Sequence, residues 1–300
     1  MKQTIRKNRK WAGYVLYAVV LTGWLIYNRF PAEALETYVK AKVMETNPEM
    51  VLSTEKVDLS FPLSLKFINP HVFHKGMHQT PVFVAKGFSL TPQIGAFIRG
   101  EPAYQFHARA YGGVIKGRIW FKHRDMSGPF DAAVTLKDLN LQEHACISPL
   151  LNREVSGSLS GRIRYNGPPD LWMDGTGTAD LNITSARMNL LQPLLGFQSL
   201  TFDQISTKAA LKAKTMNLEH VDFDGPAVKG SLAGDISLKH DVYTSRLNLR
   251  GRIEPLKGVL DGIKDGSKGL KFLQQSLSKL KRTFVIQGTL ESPVFRFISH

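Results

Sequence analysis

The stretch "VSGSLSGRI" at residues 155–163 is nearly repeated as "VKGSLAGDI" at residues 228–236, and a looser form, "GVIKGRI", occupies residues 113–119. In each copy apolar side chains alternate with polar or small ones. A period of two residues is typical of a β-strand that buries one face and exposes the other. The three copies therefore predict strands of one kind, used repeatedly in the same fold.

The same alternation recurs through most of the chain after residue 50. It is longest in "VDLSFPLSLKF" at 57–67, which predicts an eleven-residue strand, with Pro62 indicating an edge or a bulge. Other alternating stretches lie at 111–121, 155–165, 179–183, 228–238, 245–253 and 283–290. Strands with one apolar and one polar face favour antiparallel pairing. We therefore expect a mainly β fold, an elongated and curved antiparallel sheet with a few short helices.

The apolar rows of these strands predict an apolar groove. Its candidate residues are Leu59, Phe61, Leu63, Leu65, Phe67, Leu159, Ile163, Leu181, Ile183, Leu232, Ile236, Leu247, Leu249 and Ile253. Glycine replaces a large side chain in the same rows at Gly113, Gly117, Gly157, Gly161, Gly230 and Gly234. Glycine within a strand marks tight curvature or the close approach of another surface. We expect these glycines to bend the sheet around a narrow core or groove.

Motifs for catalysis or metal binding are weak in this sequence. "GSLSG" places Leu159 where the nucleophile elbow of a serine hydrolase needs serine. His71, His74 and His78 are interpreted as a solvated loop, and Cys146 as a buried structural thiol. We therefore expect no enzyme activity, no catalytic residue, no cofactor, no metal site and no small-molecule substrate.

The N-terminal region carries much of the positive charge. The formal net charge is +14, and six of the 39 basic residues, but no acidic residue, lie in the first 30 positions. Residues 11–28 are uncharged and as a helix would span about 27 Å, close to the hydrocarbon thickness of a bilayer. They predict a transmembrane anchor with the N-terminus in the cytoplasm. A cleaved signal peptide is the alternative, although its apolar region should be shorter.

The predicted organisation follows from this anchor. A basic stub (1–10) and the anchor (11–28) precede a linker (29–50) with an amphipathic helix at 34–50, and a periplasmic β-domain covers 51–300. Within that domain, 190–197 is predicted to be a short helical patch. A leucine stripe at about 256–282 predicts a helical insertion that lies either on the membrane or in the groove. The moderate positive balance of the exported part is compatible with anionic lipid, and we expect no nucleic-acid partner.

Five segments carry a resemblance to a known family. They are "SGSLSGRIRYNGPP" (156–169), "DGTGTADLNIT" (174–184), "FDGPAVKGSLAGDISL" (223–238), "LNLRGRIEP" (247–255) and "FVIQGTLESPVFRF" (284–297). With the basic stub and the single anchor, they resemble the type II secretion system protein N family (GspN), which is similar to AsmA-like proteins. The resemblance implies an inner-membrane anchor and a periplasmic curved β-sheet with an apolar concave face, and it implies no catalytic residues.

The resemblance leaves two roles open. GspN proteins are assigned to the type II secretion apparatus, so one expectation is a structural accessory protein whose β-domain docks on other secretion-system subunits. AsmA-like relatives are linked to phospholipid traffic and outer-membrane assembly. The alternative expectation is therefore a phospholipid-binding or lipid-transfer protein, with membrane lipid as its partner.

Overall fold

The computed structural model describes residues 11, 13–15, 17, 18, 21, 32–46, 48–60, 63–74, 81–126, 128–143, 154–168, 171–194, 197–226, 228–255 and 282–298. The helices with described bounds are α1 (Ala32–Thr46) and α2 (Ile94–Ile98). The strands are β1 (Met50–Ser53), β2 (Lys56–Ser60), β3 (Ser64–Ile68), β4 (His71–His74), β5 (Pro81–Val84), β6 (Gly87–Pro92), β7 (Ala103–Ala110), β8 (Gly113–Phe121), β9 (Phe130–Asn140), β10 (Val155–Gly167), β11 (Thr176–Leu194), β12 (Phe197–Lys212), β13 (Thr215–Asp224), β14 (Val228–Ser237), β15 (Arg246–Pro255), β16 (Arg282–Thr289) and β17 (Pro293–Ile298).

Fourteen of the strands form one large sheet in the order β17-β16-β15-β14-β13-β12-β11-β10-β9-β8-β7-β6-β3-β2. Every neighbouring pair is antiparallel, and almost every strand pairs with the strand that follows it in the chain. The prediction of a mainly β fold built on one large antiparallel sheet is therefore confirmed. Antiparallel pairing fits the sequence because each strand has one apolar face and one polar face.

A smaller sheet covers part of the large one near its N-terminal end. Strands β1, β4 and β5 form this three-stranded sheet, and α1 packs against β1 and β2. Phe83 and Val84 of β5 pack against a buried cluster that includes Ala108, Ala110 and Tyr111. This end of the molecule therefore has a covered core.

The prediction of one continuous strand over 57–67 is wrong. The chain makes a hairpin there, in which β2 and β3 pair with each other, and Leu59 lies opposite Leu65. Leu63 lies in the turn, where its N–H donates to the carbonyl of Ser60 at 3.0 Å. The alternation of apolar residues continues across the turn, so the sequence pattern alone does not reveal the reversal of direction.

The prediction of a short helical patch at 190–197 is also wrong where the structure describes it. Residues 190–194 continue β11, and β12 begins at Phe197. The two strands pair as far as Asn189 opposite Ser199 and again at Leu194 opposite Phe197, with an irregularity between these pairs. Strand pairing on both sides of the irregularity therefore outweighs the local tendency of an apolar run to form a helix.

Several sequence predictions fall on residues outside the described ranges. They include the basic stub, most of the proposed anchor, Phe61, His78, Cys146 and the insertion at 256–281. The described positions between 11 and 21 are helical. Within the described residues, no helix combines the length and the apolar character needed to cross a membrane.

Candidate functional site: the apolar face of the large sheet

One face of the fourteen-stranded sheet is apolar from one edge to the other. Directly opposed residues of antiparallel strands point to the same side, so the register identifies each face. The apolar face runs from Leu59 and Leu65 at one edge, through Ile163 and Leu181 in the middle, to Phe295 at the other edge. We call this surface the apolar face and the opposite surface the polar face.

Most of the predicted groove residues lie together on this surface. The register places twelve of them on the apolar face: Leu59, Leu65, Phe67, Leu159, Ile163, Leu181, Ile183, Leu232, Ile236, Leu247, Leu249 and Ile253. Leu63 does not join them, because it lies in the β2–β3 turn and is 49% exposed. Phe61 is outside the described residues.

Strands β7, β9, β12 and β13, which supply none of the predicted groove residues, also contribute to the apolar face. Phe106 lies on it from β7, Leu136 from β9, Ile205 from β12 and Phe223 from β13. The alternation in "YQFHARA" at 104–110 was a usable signal for β7. In β9 and β13 a bulge breaks the period of two, so the complete pattern is visible only with the partner strands in place.

The apolar face is unevenly covered, with the buried Leu139 in its middle and the half-buried Leu59 and Leu65 at one edge. Phe67 near one edge and Leu247, Leu249 and Phe284 near the other are buried, with at most 8% of each residue exposed. Six groove residues between them are only half-buried: Leu159, Ile163, Leu181, Ile183, Leu232 and Ile236. A packed interior would bury such side chains almost completely. Among the described residues, nothing closes over this central part.

The small sheet covers the apolar face near the β7–β8 turn. The ring of Phe83 contacts that of Tyr111 edge-on, with centroids 6.1 Å apart and an interplanar angle of 85°. The N–H of Val84 donates to the hydroxyl of Tyr111 at 3.0 Å. This contact fastens β5 over the buried Ala108 and Ala110. The half-buried part of the apolar face therefore begins beyond the small sheet and extends toward β14.

Aromatic side chains form ladders across the apolar face. Their ring contacts are Phe67–Phe88 at 5.7 Å, Phe88–Phe106 at 6.1 Å, Phe121–Phe130 at 6.0 Å, Phe130–Tyr165 at 5.4 Å, Phe202–Phe223 at 5.7 Å and Phe284–Phe295 at 5.0 Å. Burial raises the pKa of the Tyr104 hydroxyl, and burial together with the Asp174 carboxylate raises that of Tyr165. Both shifts favour the uncharged phenol, which is already the form of tyrosine at neutral pH.

Two of the predicted curvature glycines make room for aromatic rings. A Cβ atom at Gly117 would collide with the ring of Phe106, which lies opposite it on β7. A Cβ atom at Gly230 would meet the ring of Phe223 on β13 at 2.6 Å. At these positions glycine serves the close approach of a phenyl ring from the next strand.

The other four predicted glycines border bulges. Gly161 lies beside the bulge of β9, opposite Leu136, and Gly113 touches the same bulge from the other side. Gly234 lies opposite Leu218, beside the bulge of β13 between Leu218 and Val221. Gly157 lies at the register shift between β10 and β11. A bulge locally increases the twist of its strand, and these glycines lie beside such positions.

The two copies of the repeated phrase share one structural feature at their second glycine. In each, the second glycine faces a leucine of the following strand, Gly161 facing Leu181 and Gly234 facing Leu249. In each, the preceding strand carries a bulge at that level.

Searches with this chain against protein-family models, curated proteins and solved structures find no match.

Proposed function

We propose that this protein binds the acyl chains of membrane lipids along the apolar face of its large sheet. The observation that carries the proposal is the row of half-buried leucine and isoleucine side chains across β10, β11 and β14. Covering apolar surface gains about 25 cal/mol per Å². An acyl chain laid on this row would therefore be stabilised along its whole length without any polar partner.

The dimensions support binding of extended chains. Neighbouring strands lie about 4.8 Å apart, so the fourteen strands extend over about 60 Å. One acyl chain is about half as long as the roughly 30 Å hydrocarbon core of a bilayer. The apolar face therefore has room for several chains placed one after another, which favours a role in holding or passing lipids, as in the AsmA-like alternative.

An anchor in the inner membrane belongs to the same proposal. Residues 11–28 form an uncharged segment that follows five cations, and its described positions are helical. This arrangement would place the sheet in the periplasm beside the membrane from which lipids are drawn. The curved, AsmA-like form of the sheet is likewise part of the proposal.

Photo-crosslinking in cells tests lipid binding. The photoreactive amino acid p-benzoylphenylalanine is placed on the apolar face at Leu181 or Leu232. The matched controls place it one residue away on the polar face, at Asp180 or Ala233. We expect mass spectrometry to find phospholipid adducts at the first two positions and not at the controls. Equal labelling of both faces, or the absence of lipid adducts at Leu181 and Leu232, would refute the proposal.

The edge strand β17 favours a second candidate function, docking on another protein. Four residues of β17 are each at least 40% exposed: Val294, Phe295, Phe297 and Ile298. Among the described strands, β17 lies at the edge of the sheet beside β16. An edge strand presents unpaired N–H and C=O groups to a strand of another chain. This is the feature that would serve an accessory subunit of the type II secretion system.

Crosslinking also tests the docking function. With p-benzoylphenylalanine at Val294 on β17, we expect a discrete adduct with another polypeptide. The control position is Lys208 of β12, on the polar face in the interior of the sheet. Adducts of the same size and yield from both positions would show that β17 is not a specific docking edge.

A further inference from the structure

The polar face carries an open cavity at β6, β7, β8 and β9. The cavity has a volume of about 480 Å³, is open to solvent, and is lined by Ser89, Gln105, His107, Lys116, Arg118 and Thr135, among others. The register brings these residues together from sequence positions up to 46 apart. Ser89 lies opposite His107, His107 opposite Lys116, and Lys116 opposite Thr135.

The charged side chains that line this cavity are cationic. Lys116 and Arg118 both line it, and no carboxylate does. Within the described residues, neither cation has a carboxylate oxygen within 4.0 Å. The Arg118 guanidinium lies 5.5 Å from the centre of the Trp120 ring, a contact that restrains the side chain without neutralising it.

Neighbouring side chains add to the positive potential and supply further donors. Burial, then Lys116 and Arg109, lower the pKa of His107, and both of these cations lie near its imidazole. The hydroxyl of Thr135 and the side-chain amide of Gln105 also line the cavity. Among the described residues, neither of these groups makes a side-chain hydrogen bond to another side chain or to backbone.

We propose that this cavity binds the phosphate group of a small anionic ligand. Lys116 and Arg118 are two residues apart on β8 and point to the same side, so both can reach one anion. Ammonium and guanidinium groups form charge-assisted hydrogen bonds with phosphate oxygens. The Thr135 hydroxyl and the Gln105 amide can donate to the remaining oxygens.

The phosphate has two possible sources. One is a free phosphate monoester, and the other is the phosphodiester of a lipid headgroup at a membrane surface. A lipid held on the apolar face does not supply it, because the sheet itself separates that face from the cavity. The site is therefore independent of the proposed acyl-chain binding.

Isothermal titration calorimetry on the full-length chain in a non-ionic detergent tests the site. The ligands are glycerol 3-phosphate, a monoester, and glycerophosphoglycerol, a headgroup diester without acyl chains. The double variant Lys116→Gln/Arg118→Gln removes both cations of the cavity. The matched control Lys208→Gln/Arg250→Gln removes the same charge from β12 and β15, on the same polar face.

We expect saturable binding by the natural chain and the control, weakened about tenfold or more in the cavity variant. Tighter binding of glycerol 3-phosphate identifies a free monoester as the ligand class, and equal or tighter binding of glycerophosphoglycerol identifies a headgroup. The proposal is overturned if neither ligand binds the natural chain below about 10 mM. It is overturned equally if the control loses as much affinity as the cavity variant, since the effect would then be one of net charge.

Discussion

Alanine substitutions at four glycines should separate two reasons for which this fold needs glycine. Gly234 combines a backbone φ of +141° with no space for a side chain, because a Cβ atom would lie 2.9 Å from the Cα of Leu249. Gly161 has the same lack of space, with its Cβ at 2.9 Å from the Cα of Leu181, but its φ of +159° is close to extended backbone. Gly100 has a φ of +83° with open space around it. Gly87 has neither constraint, its nearest atom being 3.9 Å away.

The expected magnitudes follow from these contacts. A non-glycine residue held in a sparsely populated φ region costs about 1–3 kcal/mol. Forcing a methyl group against fixed backbone costs about 1–3 kcal/mol more. Gly234→Ala should therefore lower the free energy of unfolding by about 2–6 kcal/mol. Gly161→Ala and Gly100→Ala should each lower it by about 1–3 kcal/mol, and Gly87→Ala should leave it unchanged or raise it by up to about 1 kcal/mol.

Urea denaturation followed by far-UV circular dichroism measures these differences. With a slope of about 3 kcal/mol per M, a loss of 4 kcal/mol would lower the midpoint by about 1.3 M. The order Gly234→Ala, then Gly161→Ala and Gly100→Ala, then Gly87→Ala is the result expected. If Gly87→Ala were as damaging as Gly234→Ala, or if Gly234→Ala were neutral, the assignment of steric roles to these glycines would be wrong.

Three further predictions concern the packing and the charges of the sheet. Ser245→Ala should lower the free energy of unfolding by about 1–3 kcal/mol in urea titrations, because its fully buried hydroxyl accepts the N–H of Lys239 at 3.1 Å. In a double-mutant cycle, Gly117→Ala combined with Phe106→Ala should cost at least about 1 kcal/mol less than the sum of the single changes. Removal of the ring relieves the closest clash of the new methyl group, which also meets the carbonyl oxygen of Ala133 at 2.8 Å. Burial and neighbouring cations lower the pKa of His107 below 6.5, so this histidine binds a proton more readily in the unfolded chain than in the folded one. The free energy of unfolding should therefore fall as the pH drops below about 6.5, and His107→Gln should reduce that fall.

Each of these predictions has a control and an outcome that contradicts it. Ser237→Ala, at an exposed position at the end of β14, should change the stability by less than about 0.5 kcal/mol. A cost for Ser245→Ala no larger than this would mean that its hydrogen bond contributes little. Strict additivity at Gly117 and Phe106 would exclude their contact. For the pH effect, His240→Gln is the control, and an equal change in slope from this exposed residue would remove the role assigned to His107.

The alternating pattern predicted the bounds of strands that can be recognised from their own residues alone. The stretches predicted at 111–121, 155–165, 228–238 and 245–253 correspond to β8, β10, β14 and β15 within two residues at each end. The pattern failed where a change of direction preserved it, as in the hairpin around Leu63. It also failed at 190–197, where an apolar run belongs to a strand whose partner lies further along the chain.

The phosphate site could not be predicted from the sequence because no local motif encodes it. Lys116 and Arg118 look like the ordinary polar residues of an alternating strand. Only the pairing of β8 with β7 and β9 places them beside His107 and Thr135, without an acidic neighbour lining the cavity. A site formed by four strands depends on their order and register, which alternation leaves undetermined.

The sequence by itself determined that this chain forms antiparallel strands with one apolar and one polar face, because side chains alternate along any extended strand. The tertiary structure determined how the apolar faces of neighbouring strands join into one surface. The bulges at Leu136–Leu139 and Leu218–Val221 insert one extra residue and bring the apolar side chains back into phase with their neighbours. The repeated glycines acquired their separate roles in the same way, since a ring or a bulge on the adjacent strand fixes the space that each glycine leaves. Such contacts join residues distant in sequence, and their geometry is set only when the strands pair.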